Sequence, residues 1–288
     1  MEQQLKCNEP NNWYPCTIFS RRYHNYAVVV MARPILIEPQ KMFQIWEKAV
    51  LTVTVSDGIC RWVQCLENAG IDVFSGQYNK YVPKIIIAER VDRSINDPPT
   101  IIDRLETLGS RVIYLPHLDD MKFNGALNRI VDCAHELNIT LRDMYVFAES
   151  ETNFDIFQVI ETLRISDGNI RNVEIIIVSN SHFCWMLRRG VHKIRVAQDE
   201  KMENTPMCSF VVFNYRVVNN LTTTGLQTNF TNVSATELGE TKDILCKKTV
   251  VTVDTNASII WVMSLDVTKQ NIFDEFYINV HDESELDR

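Results

Sequence analysis

The sequence has no apolar run approaching the roughly 18–20 residues that a membrane-spanning helix needs. Its best candidates, Tyr26–Ala32 and Ile259–Leu265, have only the length of strands. The first sixteen residues lack the basic n-region and apolar h-region of a secretory signal, so neither a signal peptide nor a membrane partner is expected. Basic charge is also short: 29 Lys and Arg stand against 37 Asp and Glu, a net charge of -8. Nonspecific nucleic-acid binding runs on cationic surface that displaces counterions, so no nucleic-acid partner is expected. Nine Gly and nine Pro in 288 residues exclude a collagenous or low-complexity chain. None of the eight cysteines, at 7, 16, 60, 65, 133, 184, 208 and 246, forms a C-x-x-C pair. Reduced cysteines in a cytoplasmic protein are the expectation. The five N-x-S/T matches, at Asn138, Asn220, Asn229, Asn232 and Asn256, then carry no meaning.

What is present is an ordinary globular balance, with 45% hydrophobic and 23% charged residues. The length suggests about two domains. Residues 1–24 are polar and are expected to form an irregular arm. From there strands and helices alternate. Tyr26–Ala32, Val50–Ser56, Lys84–Ala88, Arg111–Leu115, Met144–Ala148 and Val173–Val178 read as buried strands. Lys41–Ala49, Gly58–Ala69, Phe123–Leu137 and Phe154–Ile165 read as helices, and Pro98 and Pro99 are expected to open another through Leu108. Phe123, Leu127, Ile130, Val131, Ala134 and Leu137 fall on one helical stripe. Repeated strand–helix units predict a parallel sheet covered on both faces.

After about residue 190 the helical period stops. His192–Ala197, Ser209–Val218, Thr249–Asp254 and Ile259–Leu265 are β-type runs, which predict an all-β domain of sandwich type. Between Asp266 and Arg288 there are seven Asp/Glu and two Lys/Arg, expected to form an acidic, solvated tail. The predicted fold class is therefore α/β, a Rossmann-like N-terminal domain followed by a C-terminal β-sandwich.

Ligands of a parallel sheet bind beyond the carboxyl ends of its strands. Acidic residues follow four of them: Asp57; Glu89 and Asp92; Asp119 and Asp120; Glu149, Glu151 and Asp155. A single Asp at such a place is ordinarily a helix N-cap. Four around one rim point to a divalent cation with nucleotide phosphates, or to the remnant of such a site.

The chain resembles the thiamine pyrophosphokinase family over roughly residues 25–265. The order and spacing agree from NYAVVVMARP and WEKAVLTVTVSDG through FDIFQVIETL and IIIVSNSHFCWML to NNLTTTGLQTNFTN and VVTVDTNASIIWVMSL. The resemblance implies a nucleotide-binding catalytic domain over 25–185 and a thiamine-binding β-sandwich over 190–265. It implies a homodimer with thiamine held between subunits, and ATP and Mg²⁺ as co-substrate and cofactor. In the family reaction the thiamine hydroxyl attacks the β-phosphorus of ATP and AMP leaves. Such catalysis is mainly positioning and electrostatics.

Carried over by position, the family's A-D-G-G turn is Ser56-Asp57-Gly58-Ile59, keeping Asp57 and Gly58. Its G-D-x-D-S turn corresponds to Glu89–Ser94, where Asp92 and Ser94 match but Arg93 is inserted between them. Glu89 is a candidate for the missing acid. However, Glu89 and Asp92 are three apart, and residues three apart in an extended segment point to opposite faces. In the third motif only Asp119 and Phe123 match, and Lys122 stands where an aspartate is expected. In the fourth, Ala148–Asp155, all three glycines and the arginine are gone, Glu149 and Glu151 enter, and Asp155 remains. The resemblance thus implies Asp57, Asp92 and Asp119 as catalytic remnants, with Asp92 and Asp119 the metal ligands if any. Gly58, Ser94 and Asp155 are implied on the nucleotide and Thr224 and Gly225 on thiamine. Thr228 stands where many members carry an aromatic. A retained fold with a dismantled site is the first expectation, an inactive binding or regulatory protein. A working enzyme with a rebuilt site is the second, in which Arg90, Arg93 or Lys122 neutralises phosphate.

Overall fold

The computed structural model describes residues 10–15, 18, 25–35, 37–89, 99–115, 123–148, 163, 170, 172–179, 182–196, 206–212, 220–234, 238 and 243–264. The chain is a mixed α/β protein. It divides into two compact units, with boundaries between residues 17 and 18 and between 180 and 181.

The α/β unit contains six strands: β2 (Tyr26–Val30), β3 (Leu51–Val55), β4 (Ile85–Glu89), β5 (Arg111–Leu115), β6 (Asp143–Phe147) and β7 (Glu174–Val178). All their pairings are parallel, in the order β7-β6-β2-β3-β4-β5. Every residue of β2, β3 and β6 is buried. This is why those strands read as continuous apolar runs rather than alternating ones.

Helix α1 (Pro39–Lys48) starts with proline in its first turn and buries Met42, Phe43, Ile45 and Trp46. Helix α2 (Gly58–Asn68) buries Ile59, Trp62, Val63 and Leu66, the i, i+3, i+4, i+7 stripe of one face. The two helices meet through their indoles: Trp46 and Trp62 stack with ring centroids 3.8 Å apart. Trp62 donates to the Tyr81 carbonyl at 2.8 Å, which satisfies the buried N–H.

Helix α3 (Ile101–Thr107) begins later than the prolines suggest. Thr100 is its N-cap, with Asp103 completing a capping box, so reciprocal side-chain bonds rather than proline set the start. Gly109, at φ +107°, follows its C-terminus. Helix α4 (Phe123–Glu136) buries Leu127, Ile130 and Ala134 as the stripe requires, and also Ala126 and Cys133. Leu137 is 46% exposed, contrary to the stripe. The helix ends one residue earlier and Asn138 turns the chain at φ +55°.

The second unit is built of β-strands, with helical geometry among its described residues only at Pro15 and Leu238. One sheet orders β1 (Asn11–Trp13), β9 (Gly190–Arg195), β13 (Val250–Thr255) and β11 (Leu221–Thr224). The other orders β12 (Ile244–Leu245), β10 (Met207–Val211), β14 (Ile259–Ser264) and β8 (His182–Leu187). Trp185, Trp261 and Phe210 are buried in its core, and Trp13 lies 5.6 Å from Trp185 between ring centroids.

Two expectations change here. Residues 11–13, placed by sequence in an irregular arm, form a strand parallel to β9. One buried indole anchors it, a signal too short for periodicity to reveal. The expected boundary at 185–190 also moves, because β8 pairs antiparallel with β14 and so lies with the all-β unit. The expected tail, 266–288, lies outside the described residues. So does the expected helix Phe154–Ile165 except for Leu163, which is helical and buried.

Candidate functional site

Strand β2 lies between β3 and β6, so the strand order reverses there. A parallel sheet opens a crevice at the carboxyl ends of two such strands. At that edge the Met31 amide donates to the Phe147 carbonyl at 3.1 Å, extending the β2–β6 ladder by one bond. The Arg33 amide then donates to the Met31 carbonyl at 2.7 Å, closing a tight turn before Pro34. Half-buried Arg33 therefore stands at the reversal point. Sequence reasoning missed it because it attended to acids; a cation directly after the first buried strand was the available signal.

Beside this edge, β3 ends in Ser56-Asp57-Gly58. Ser56 takes φ +52°, a left-handed conformation that costs an L-residue on the order of 1–2 kcal/mol. Its amide is fixed by the Ile87 carbonyl at 2.8 Å. Asp57 is exposed and precedes α2 without a side-chain capping bond. Its negative charge raises the nearby Cys60 thiol pKa, second to burial and opposed by Arg61. At Gly58 a Cβ would lie 2.2 Å from the Val30 carbonyl oxygen, so only glycine lets α2 approach the end of β2. Glu89 closes β4 at the same edge, exposed and opposite Leu115.

The structure therefore brings Asp57, Gly58 and Glu89 to the carboxyl edge where the sequence reading put them. Asp92, Ser94, Asp119 and Asp155 lie outside the described residues, as do Arg90, Arg93, Lys122, Glu149 and Glu151. Among the described residues no three His, Cys, Asp or Glu side chains group as a metal site. Among the described residues no helix is long and apolar enough to cross a membrane.

In the all-β unit, Thr224 ends β11 with its side chain exposed. Gly225, at φ +89°, packs so closely on β13 that a Cβ would lie 2.6 Å from the Val250 carbonyl oxygen. Its own carbonyl accepts from the Lys247 and Lys248 amides at 2.8 and 3.0 Å. The turn beyond is tied by Asn229, which accepts from the Leu226 amide at 3.0 Å. Phe230 completes it: its amide donates to Thr223 Oγ1 at 2.9 Å and its carbonyl accepts from the Thr223 amide at 3.0 Å. Thr228 is exposed. Yet Phe230, half-buried and edge-on to Phe210 at 5.9 Å, puts an aromatic two residues away in the same turn.

No family model and no curated protein matches the chain. Solved structures do. The thiamin pyrophosphokinase of Candida albicans is similar at a TM-score of 0.68 and 16% identity, over 89% of this chain and 93% of that one. The yeast thiamin pyrophosphokinase gives 0.69 and 14%, over 93% and 94%. The thiamine pyrophosphokinase of Bacillus subtilis gives 0.53 and 17%, over 83% and 98%. Across nearly its whole length, the chain has the fold of the thiamin pyrophosphokinases.

Proposed function

We propose that this is a divergent thiamine pyrophosphokinase-like protein whose diphosphate transfer is lost or strongly impaired, and which works by binding or regulation. The observation that carries the family reading is the shared fold over about nine-tenths of both chains at 16% identity or less for the two fungal enzymes. In this reading the α/β unit, up to residue 180, forms a Rossmann-like nucleotide-binding domain and the all-β unit, residues 181–265, a thiamine-binding β-sandwich. Two copies join as a cytoplasmic homodimer.

The impairment rests on residue types. Asp57, Asp92 and Asp119 are the surviving acids, with Gly58, Ser94 and Asp155 on the nucleotide side and Thr224 and Gly225 on the thiamine side. Glu149 and Glu151 stand where glycines let backbone amides meet phosphate. Two like charges about 4 Å apart cost roughly 1 kcal/mol in water and about 4 at an effective dielectric of 20. Lys122 replaces a metal ligand with a cation.

Mg²⁺ would neutralise the polyphosphate of ATP when bound. Its expected ligands, Asp92 and Asp119, lie outside the described residues; in the rebuilt-site reading Asp57 would join them, its carboxylate not spent on capping α2 and a hard oxygen donor of the kind such an ion takes. Gly58 holds α2 against β2, which fixes where that carboxylate stands.

A second reading is favoured by the retained Asp57 and Gly58 and by Arg33 at the reversal point. In it the site is rebuilt and active, with Arg33, Arg90, Arg93 or Lys122 carrying phosphate charge. Purified protein with ATP, Mg²⁺ and thiamine, assayed for AMP and thiamine diphosphate, separates the two. The first predicts neither product; the second predicts both in equal amounts.

A further inference from the structure

Six cysteines lie among the described residues, five of them buried. At Cys65 and Cys184 burial raises the thiol, and at Cys133 burial acts together with charged side chains. Cys208 and Cys246 differ. Cys208 on β10 is opposite Ile244 on β12, and the Cys246 amide donates to the Pro206 carbonyl at 2.9 Å. Cys246 follows Ile244 by two residues, so the two thiols project from the same face of neighbouring antiparallel strands, at diagonal positions. They are 1% and 0% exposed. The two thiols act on each other electrostatically, which raises the Cys208 pKa and lowers that of Cys246. Asp243 adds to the rise at Cys208.

We propose that Cys208 and Cys246 are a reversible dithiol–disulfide pair, oxidised by peroxide. The Cys246 thiolate attacks one oxygen of hydrogen peroxide; an S–O bond forms, the O–O bond breaks, and hydroxide leaves with the electron pair and takes up, as water, the proton that Cys246 lost on ionising. The Cys208 sulfur then attacks the resulting sulfenic acid. The S–S bond forms, the S–O bond breaks, and the leaving hydroxide takes the Cys208 proton as water. Two thiols and one peroxide give one disulfide and two waters.

Diagonal neighbours on antiparallel strands have Cα atoms about 7–8 Å apart, and a disulfide usually needs them within about 6.8 Å. One strand must therefore shift. Strand β12 has only two residues in its ladder with β10, so it is the strand that can move. Cys246 also bridges to Leu226, and the Gln227 amide donates to the Leu245 carbonyl at 2.8 Å. Movement of β12 is thereby transmitted to the turn that begins at Thr224 and Gly225. The disulfide itself does not depend on that turn binding thiamine.

The test treats the full folded chain with hydrogen peroxide, alkylates remaining thiols, and maps peptides without reduction. A peptide pair joined through Cys208 and Cys246, lighter by about 2 Da for two lost hydrogens, is expected. Dithiothreitol should restore both thiols. Backbone amides of Leu226 and Gln227 should change their hydrogen-exchange rate in step with the link. In Cys208→Ser the sulfenic acid should persist at Cys246 and be trapped by dimedone. If Cys208 and Cys246 are both recovered alkylated after unfolding, while exposed Cys60 has been oxidised at the same dose, the pair is a packed core contact and the proposal fails. That mapping uses the wild-type chain, so it decides even if Cys208→Ser does not fold.

Discussion

The indole Nε1–H of Trp13 donates to Nδ1 of His192 at 2.9 Å, and His192 Nε2 donates to the Arg188 carbonyl at 2.6 Å. Both side chains are buried. The imidazole thus accepts on one nitrogen and donates on the other, which only the neutral ring can do. Burial holds its pKa below the usual 6.5, and the positive charge of Arg188 acts in the same direction. The Arg188 carbonyl and the negative charge of Asp254 oppose it.

A pH dependence follows. The unfolded histidine takes a proton near pH 6.5 that the folded one refuses, so stability is full above that pH and falls as pH drops below it. The slope from one proton is at most about 1.4 kcal/mol per pH unit. Urea unfolding between pH 7.5 and 5 should show this loss, and His192→Gln, which keeps one donor and one acceptor, should flatten it. Because Trp13 fixes β1 to β9, proteolysis within residues 10–15 should accelerate over the same pH range.

Gly58→Ala forces a Cβ to within 2.2 Å of the Val30 carbonyl oxygen, which is backbone and cannot rotate away. Either α2 or the end of β2 must shift. Such overpacking costs about 1–3 kcal/mol, measurable by denaturant unfolding. A loss below half a kcal/mol would mean that α2 is not held against β2 as described.

Thr54 runs the other way. Its Oγ1 is buried in β3 with no hydrogen-bond partner among the described residues. Thr54→Val keeps the β-branch and removes a desolvated hydroxyl. An unmet buried polar group costs about 1–3 kcal/mol, so the variant should be more stable than wild type by roughly 1 kcal/mol.

The parallel sheet was legible because β2, β3 and β6 are buried on both faces and carry unbroken apolar runs. The start of α3 was misread because Thr100 and Asp103 act through reciprocal bonds that are stronger than the cue from Pro99. Strand β1 left no pattern, since a single Trp13 anchors it. At the candidate site Asp57 and Gly58 were legible from a short acidic-glycine turn after a strand. Arg33 and Phe230 were not: a cation after a strand and an aromatic shifted by two residues mean nothing until the strand order and the turn bonds place them.

ATP binding should be weak and should gain little from Mg²⁺. The motivation is Lys122, Glu149 and Glu151 in the loops expected at the polyphosphate. Calorimetry with and without Mg²⁺ measures it. If binding proves metal-independent, Arg33→Gln should weaken it, because a half-buried guanidinium at the reversal point would then be carrying phosphate charge. Micromolar, Mg²⁺-dependent affinity would favour the rebuilt-site reading.

The most direct measurement is turnover itself. The purified chain, incubated with ATP, Mg²⁺ and thiamine, should form no AMP and no thiamine diphosphate above a protein-free control, while circular dichroism confirms that it is folded. Stoichiometric AMP and thiamine diphosphate, abolished by Asp57→Asn without loss of folding, would contradict an impaired enzyme and make Asp57 a working ligand of an active site.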